Sequence, residues 1–210
     1  MSEIFEPVAT GADGRVLSRR GTETRQRLLA AAERVFAELG YHEASIVKIT
    51  EAAGVAQGTF YLYFTSKKEI FDELVKDLNR RVRYAMAERA REGTTRAEIE
   101  RLGFQGFFKF TAEHPALYRI IRQAEFVSPE TLQVHYERIA DGYVAGLTRA
   151  MEAGEIAEGD PEVLSWALMG IGELVGMRWI LWADRDGIPE PIFAEVGRII
   201  DRVLGSGPGE

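Results

Sequence analysis

Gln57, Thr59, Tyr61 and Tyr63 stand within seven residues of one another, while Phe60 and Phe64 recur at i and i+4. On a short helix this spacing turns the two phenylalanines inward and the polar residues outward. The chemistry open to that outer side is recognition. An amide and a hydroxyl read base edges in a DNA major groove, and phenolic hydroxyls donate to phosphate or stack on sugars. Gly58 adds room for close backbone approach. Cations accompany the row at helix starts: Arg25 and Arg27, then Lys48, then Lys67 and Lys68. Positive charge there opposes the helix dipole by a few tenths of a kcal/mol each. A phosphate held by free N–H groups beside a cation offsets that cost. Any one lysine alone reads as ordinary surface charge, and two tyrosines so close could instead pack as structural residues.

Bond-breaking chemistry finds no such constellation. His42, His114 and His135 are far apart, without a zinc-protease or nucleophile-elbow spacing, and no glycine-rich loop follows a strand. The expectation is a non-enzyme without cofactor or metal. With no cysteine, disulfides and thiolate sites are excluded.

The elements that position these residues form a helix–turn–helix pattern over Ser45–Ile70. Ser45 opens a short apolar helix bearing Ile46, Ile49, Ala52 and Ala53. Gly54 supplies a residue of positive φ for the turn, and Val55 plugs the space between the helices. Gln57–Tyr63 is the second helix. Upstream, Leu28, Leu29, Ala32, Val35, Phe36 and Leu39 form one helical face from Thr24, stopped at Gly40. Downstream, Ser66-x-x-Glu69 is a capping box that launches a long helix to about Arg91.

The rest of the chain is also helical. Thr95-x-x-Glu98 caps a Phe-rich helix that ends before Pro115, and a short helix follows to about Ala124. Ser128-Pro129 and Asp160-Pro161 pair an N-cap with proline at the first helical position, predicting helices over 129–152 and 161–184. A last amphipathic helix spans about 190–204. The fold class is all-α, with about nine helices: an N-terminal three-helix head, a long fourth helix and a C-terminal bundle. The expected divisions are a flexible arm at 1–21, a DNA-binding head at 22–66, a connecting helix at 67–92, and a ligand-binding and dimerisation domain at 93–210.

Charge follows the same division. The net charge is −7, yet residues 1–92 carry 15 Lys and Arg against 14 Asp and Glu, so the acidity lies in the second part. A small basic face on the head suffices for DNA. The polar start predicts no signal peptide and a cytoplasmic protein. Val163–Trp182 is about long enough for a membrane span, but Glu173 and Arg178 inside it favour a buried helix.

Thr24-Arg25, Leu28-Leu29-x-Ala31-Ala32, Phe36-x-x-x-Gly40-Tyr41, Ile49, Ala53-Gly54-Val55 and Gly58-Thr59-Phe60-Tyr61-x-Tyr63-Phe64-x-Ser66-Lys67 together resemble the N-terminal domain of the tetracycline-repressor (TetR) family. The resemblance covers roughly residues 22–72. It implies a homodimeric, ligand-responsive transcriptional regulator, usually a repressor, on a double-stranded DNA operator. It points to Ser45, Gln57, Gly58, Thr59, Tyr61, Tyr63 and Lys67 as DNA-facing, beside Arg25 and Lys48. Two residues depart from the pattern: Ala56 stands at the third helix's N-cap, where the family usually has Ser, and Thr50 follows Ile49 in place of Ala. The alternatives are a non-DNA helical adaptor and a ligand-dependent activator.

In the second part, Gly172, Gly176 and Trp179 lie on one face of the 161–184 helix, small in the middle and bulky at the end. With Phe193, Val196 and Ile200 of the last helix they are expected to form a dimer interface, the alternative being close packing within one subunit. Aromatic density makes Phe104, Phe107, Phe108, Tyr118, Phe126, Tyr143 and Trp166, with Met169, Arg122 and Glu173, candidates to line an effector pocket. Most such aromatics are core. By resemblance, the effector is an acyl-CoA or another apolar small molecule.

Overall fold

The computed structural model describes residues 9–205, and among them it has nine α-helices and one π-helical segment. They are α1 (Arg19–Glu43), α2 (Ile46–Ala53), α3 (Gln57–Phe60), α4 (Lys67–Ala90), α5 (Arg96–Glu113), α6 (Ala116–Val127), α7 (Pro129–Glu152), α8 (Pro161–Gly176) with its π-helical extension Met177–Leu181, and α9 (Glu190–Leu204). The all-α expectation holds.

Local chemistry explains the boundaries. Asp160 Oδ1 accepts from the N–H groups of Glu162 and Val163 at 2.9 and 3.2 Å and starts α8. Thr95 and Glu98 form both halves of the capping box of α5. At α4, Ser66 Oγ accepts from Glu69 N at 3.1 Å, while the Glu69 carboxylate accepts from the amide and hydroxyl of Thr65, one residue earlier than the box predicts. Gly40 breaks α1 with φ 76°, and Gly54 turns the chain with φ 65°. Helix α1 begins earlier than Thr24, because Ser18 Oγ accepts from Gly21 N at 3.3 Å. Residues 9–17, expected within a flexible arm, close a small hairpin; residues 1–8 of that arm lie outside the described residues.

The chain divides into two compact units, Met1–Lys76 with Arg119–Thr131, and Asp77–Tyr118 with Leu132–Glu210. This differs from the expected boundary near residue 92: α4 belongs to both units, and 119–131 belongs with the head. Polar contacts supply the reason. Gln123 Oε1 accepts from Tyr41 N at 2.5 Å, and Arg119 donates to the carbonyl of Ala37 at 3.4 Å. Lys68 Nζ donates to Asp72, Ser128 and Glu130 at 2.8, 3.0 and 2.9 Å. That lysine and the neighbouring Ser128 hold the exposed Glu130 carboxyl down at a pKa of about 2.

The first unit buries Leu28, Phe36, Ile49, Phe60, Phe64, Phe71 and Leu74 completely. Phe36 meets Phe71 edge-on at 5.2 Å. The second unit's core gathers Phe104, Phe108, Tyr143, Leu147, Leu168, Ile180, Val196 and Ile200. Burial on this scale is worth roughly 1.5–3 kcal/mol per large apolar side chain, which is ample to hold helices of modest propensity.

Candidate nucleic-acid interface

Everything that positions the outer row of α3 lies in the first unit. Phe60 is fully buried and rotates Gln57, Gly58 and Tyr61 outward, where all three are exposed; Thr59 and Tyr63 are half-buried beside them. A Cβ added at Gly58 would meet nothing within 4 Å, so this face is open. Ser45 caps α2 by accepting from Lys48 N at 3.2 Å, which leaves its hydroxyl proton for another acceptor. Ala56 at the N-cap of α3 offers no side-chain acceptor, so the first N–H groups of that helix lack a capping partner. Thr50, the other departure, donates its hydroxyl to the carbonyl of Val47 at 2.9 Å and is accommodated without strain.

A groove of about 380 Å³ separates the start of α1 from α3, lined among others by Arg20, Arg27, Ala56, Thr59 and Tyr63. Two arginines, a hydroxyl and a phenol thus line one concavity beside the start of α3, a polar and positively charged lining.

The cations divide into two groups. Arg27 is exposed, and so is Lys48, whose ammonium lies 3.0 Å from the carbonyl of Glu43. Arg25, expected to grip phosphate, points into the head instead. It pairs with Glu73 at 2.7 Å and stacks its guanidinium 5.1 Å from the Phe64 ring centre. Lys67 is likewise committed: its ammonium donates to the carbonyls of Tyr41 and Ala44 at 2.7 and 2.8 Å and sits 4.4 Å from the Tyr41 ring centre. It closes the last turn of α1, where unpaired carbonyls attract positive charge. Both residues brace the head through these internal contacts. Arg25 and Arg27 also fall beyond the first turn of α1, because the helix starts at Arg19. Arg20 was missed by sequence reasoning, and Ser18 as an N-cap was the signal that could have placed it.

The second unit brings some of the candidate pocket residues together. Phe104 and Phe108 lie 5.9 Å apart, Phe107 meets Tyr118 at 6.3 Å, and Met169 packs against the same core, which includes Tyr143. Burial pushes the Tyr118 hydroxyl above the usual phenol range. Both carboxylate oxygens of Glu173 accept from the Tyr136 hydroxyl, at 3.0 and 2.9 Å, and Trp166 is half-exposed beside Tyr136. Arg122 and Phe126 are not part of this cluster. Both sit on solvent-facing positions of the first unit, Phe126 with 82% of its surface exposed.

Most residues of the expected dimer face are turned into the core of their own unit. Gly172 packs against Phe104 and Phe107, and a Cβ at Gly176 would fall 1.7 Å from the Tyr118 hydroxyl, so both glycines serve packing within one subunit. Val196 and Ile200 are buried and Phe193 is packed on the core, while Trp179 is half-buried. The opposite sides of the same helices carry the exposed apolar residues: Val163, Leu174 and Trp182 along α8 and its extension, and Ile199 and Val203 on α9. Helix α8 with its extension, long and apolar enough to cross a membrane by length and composition, is therefore only one-third buried over its most apolar stretch rather than the buried helix expected.

A two-helix reader packed on a third helix, joined to a helical second unit, defines a helix–turn–helix regulator. The family model for "Bacterial regulatory proteins, tetR family" matches residues 28–74. The HTH-type transcriptional regulator YdgC of Bacillus subtilis is 31% identical over 189 residues, covering 88% of this chain and 94% of that protein. The chain belongs to the TetR family. The fatty acid metabolism regulator protein of B. subtilis is 32% identical over 161 residues, 74% of this chain and 82% of its own length. Among solved structures, FadR from B. subtilis in complex with stearoyl-CoA matches with a TM-score of 0.73 at 25% identity, covering 85% of this chain and 97% of that one. A TetR family regulator from Marinobacter aquaeolei VT8 shares the fold, with a TM-score of 0.75 at 19% identity over 90% of this chain and all of that one.

Proposed function

We propose that the chain is a cytoplasmic, ligand-responsive repressor that binds a palindromic operator as a homodimer. The observation that carries this reading is the open outer row of α3, with Gln57 and Gly58 exposed and the basic groove beside it. Gln57 and Thr59 read base edges, Ser45, Tyr61, Tyr63, Lys48 and Arg27 meet phosphates, and Arg25 and Lys67 hold the head in shape. Two copies join through the exposed faces of α8 and α9, as a two-fold site with half-sites about 34–36 Å apart requires.

The effector is a long-chain acyl-CoA or a similar amphipathic molecule. Support comes from the similarity to a fatty acid metabolism regulator and to a stearoyl-CoA complex, and from the second unit's aromatic set around Phe104, Phe107 and Tyr118. Ligand binding shifts α4, which belongs to both units, and the spacing of the heads no longer suits the operator. The test is fluorescence anisotropy of a labelled operator duplex, recovered by selection from a random pool, during titration with stearoyl-CoA. Release at micromolar ligand is expected. Retention of DNA at saturating acyl-CoA of every chain length would remove this effector class. An increase in DNA affinity would instead mark an activator or a co-repressed regulator, as the name of the relative FasR, a transcriptional activator, keeps in view.

A further inference from the structure

The hairpin at residues 10–16 has no part in the DNA contacts assigned above. It is closed by an antiparallel bridge between Thr10 and Val16, with Gly11 N donating to the Arg15 carbonyl at 2.9 Å and Gly14 turning at φ 76°. One bond docks it. Ala12 N donates to the carbonyl of Leu62 at 3.0 Å, in the turn that ends the recognition row. The approach is close enough that a Cβ on Gly11 would fall 2.9 Å from that same carbonyl oxygen. The hairpin is therefore held on the end of the α3 segment, inside the first unit.

What it presents is positive charge. The Arg15 side chain is 88% exposed and that of Arg19, at the start of α1, is 95% exposed. Among the described residues they pair with Asp13 at 3.5 Å and Glu23 at 3.2 Å, both well exposed. Solvated pairs of this kind are worth roughly 0–1 kcal/mol and yield readily to a phosphate. Arg20 follows in the groove wall with Arg27. Arg15, Arg19, Arg20 and Arg27 are exposed along residues 13–27 beside two acidic residues, Asp13 and Glu23, while Arg25 is turned into the head, in a protein of net charge −7. A basic edge thus runs from the hairpin tip to the start of α3.

We infer that the Thr10–Val16 hairpin is a second DNA-contacting element, a wing whose Arg15, with Arg19, grips backbone phosphates flanking the major groove that α3 enters. This rests on the DNA-binding reading above. Attachment to the end of the α3 segment matters because phosphate contacts fix orientation and register while base contacts specify sequence.

The experiment uses the full chain and the selected operator duplex, with affinity measured across a salt series for the wild type, the Arg15→Gln/Arg19→Gln double variant and the Arg15→Lys/Arg19→Lys control. Removing one cation from a phosphate flattens the plot of log affinity against log salt by about 0.9. The Gln variant is expected to lose nearly two units of slope and about tenfold or more in affinity near physiological salt. Base preference and melting temperature stay unchanged, and the Lys control restores the slope. A Gln variant with wild-type slope overturns the wing, as does a Lys control that behaves like the Gln variant. If the wild type itself enriches no duplex, the underlying reading fails and the wing with it, a result distinct from the first.

Discussion

Ala56 leaves the first turn of α3 without a side-chain acceptor, so the head gives up stability at the start of the proposed reading helix. Replacing it by serine supplies that acceptor and is expected to stabilise the protein by about 1 kcal/mol, raising the melting midpoint by roughly 2–4 °C. Arg25 and Arg27 should behave oppositely although they are two residues apart. Arg25→Ala removes the pair with Glu73 and the stacking on Phe64, and is expected to cost about 1–3 kcal/mol in urea unfolding. Arg27→Ala leaves unfolding unaltered and lowers DNA affinity on every sequence. This contrast shows where reading residues alone stops. Gln57 and Tyr61 are legible as exposed because Phe60 and Phe64 are both buried, although the helix expected to reach Tyr63 ends at Phe60 and residues 61–63 form a turn. The destinations of Arg25 and Lys67 were not. Long flexible side chains choose among partners that are distant in sequence, Glu73 for one and the carbonyls of Tyr41 and Ala44 for the other.

At the scale of elements, caps and prolines made boundaries readable. Ser128-Pro129 and Asp160-Pro161 mark helices that begin at residues 129 and 161. The face that α8 turns inward was not readable, because apolar residues surround that helix and its glycines suit either close packing inside or a partner outside. The structure decides for the inside at Gly176. Gly176→Ala would press a methyl group onto the Tyr118 hydroxyl and is expected to destabilise by about 1–3 kcal/mol despite the better helix propensity of alanine. Adding Tyr118→Phe should recover part of that loss in thermal unfolding, since the hydroxyl is then gone while the ring carbon that bore it still lies 2.9 Å from the new methyl position. The proposed dimer lies on the outer face, where Leu174 is exposed. Leu174→Glu places a charge on it and is expected to shift the sedimentation equilibrium from dimer to monomer, with the helical circular dichroism preserved.

At the scale of the whole molecule, titration links folding to pH through His135. Its Nδ1 lies 3.1 Å from the Asn79 side-chain amide, and that amide also donates to the His135 carbonyl at 2.9 Å. Burial, with the nearby Arg83 charge adding to it, lowers the His135 pKa from 6.5 to about 4. The unfolded chain binds this proton more readily, so the stabilising effect is complete above pH 6.5. It is lost as pH falls from 6.5 towards 4, by about 3 kcal/mol at most. Urea midpoints of the wild type should fall over that range more steeply than those of His135→Gln, which starts lower but lacks this titration. The domain plan expected from sequence differs from the structure along α4, which is shared between the units, and at residues 119–131. Residues 119–131 join the head through Gln123, Arg119 and Lys68, contacts that no local pattern encodes.

If Gln57 and Thr59 read base edges, losing both must erase the protein's sequence preference. Selection from a random duplex pool at near-physiological salt, run in parallel with the wild type and with Gln57→Ala/Thr59→Ala, measures this. The wild type should recover a palindrome of two half-sites. The double variant should still bind DNA at low salt but lose the consensus at positions within each half-site. A wild type that enriches nothing, or a variant that recovers the same consensus at full strength, would rule out base reading by this row.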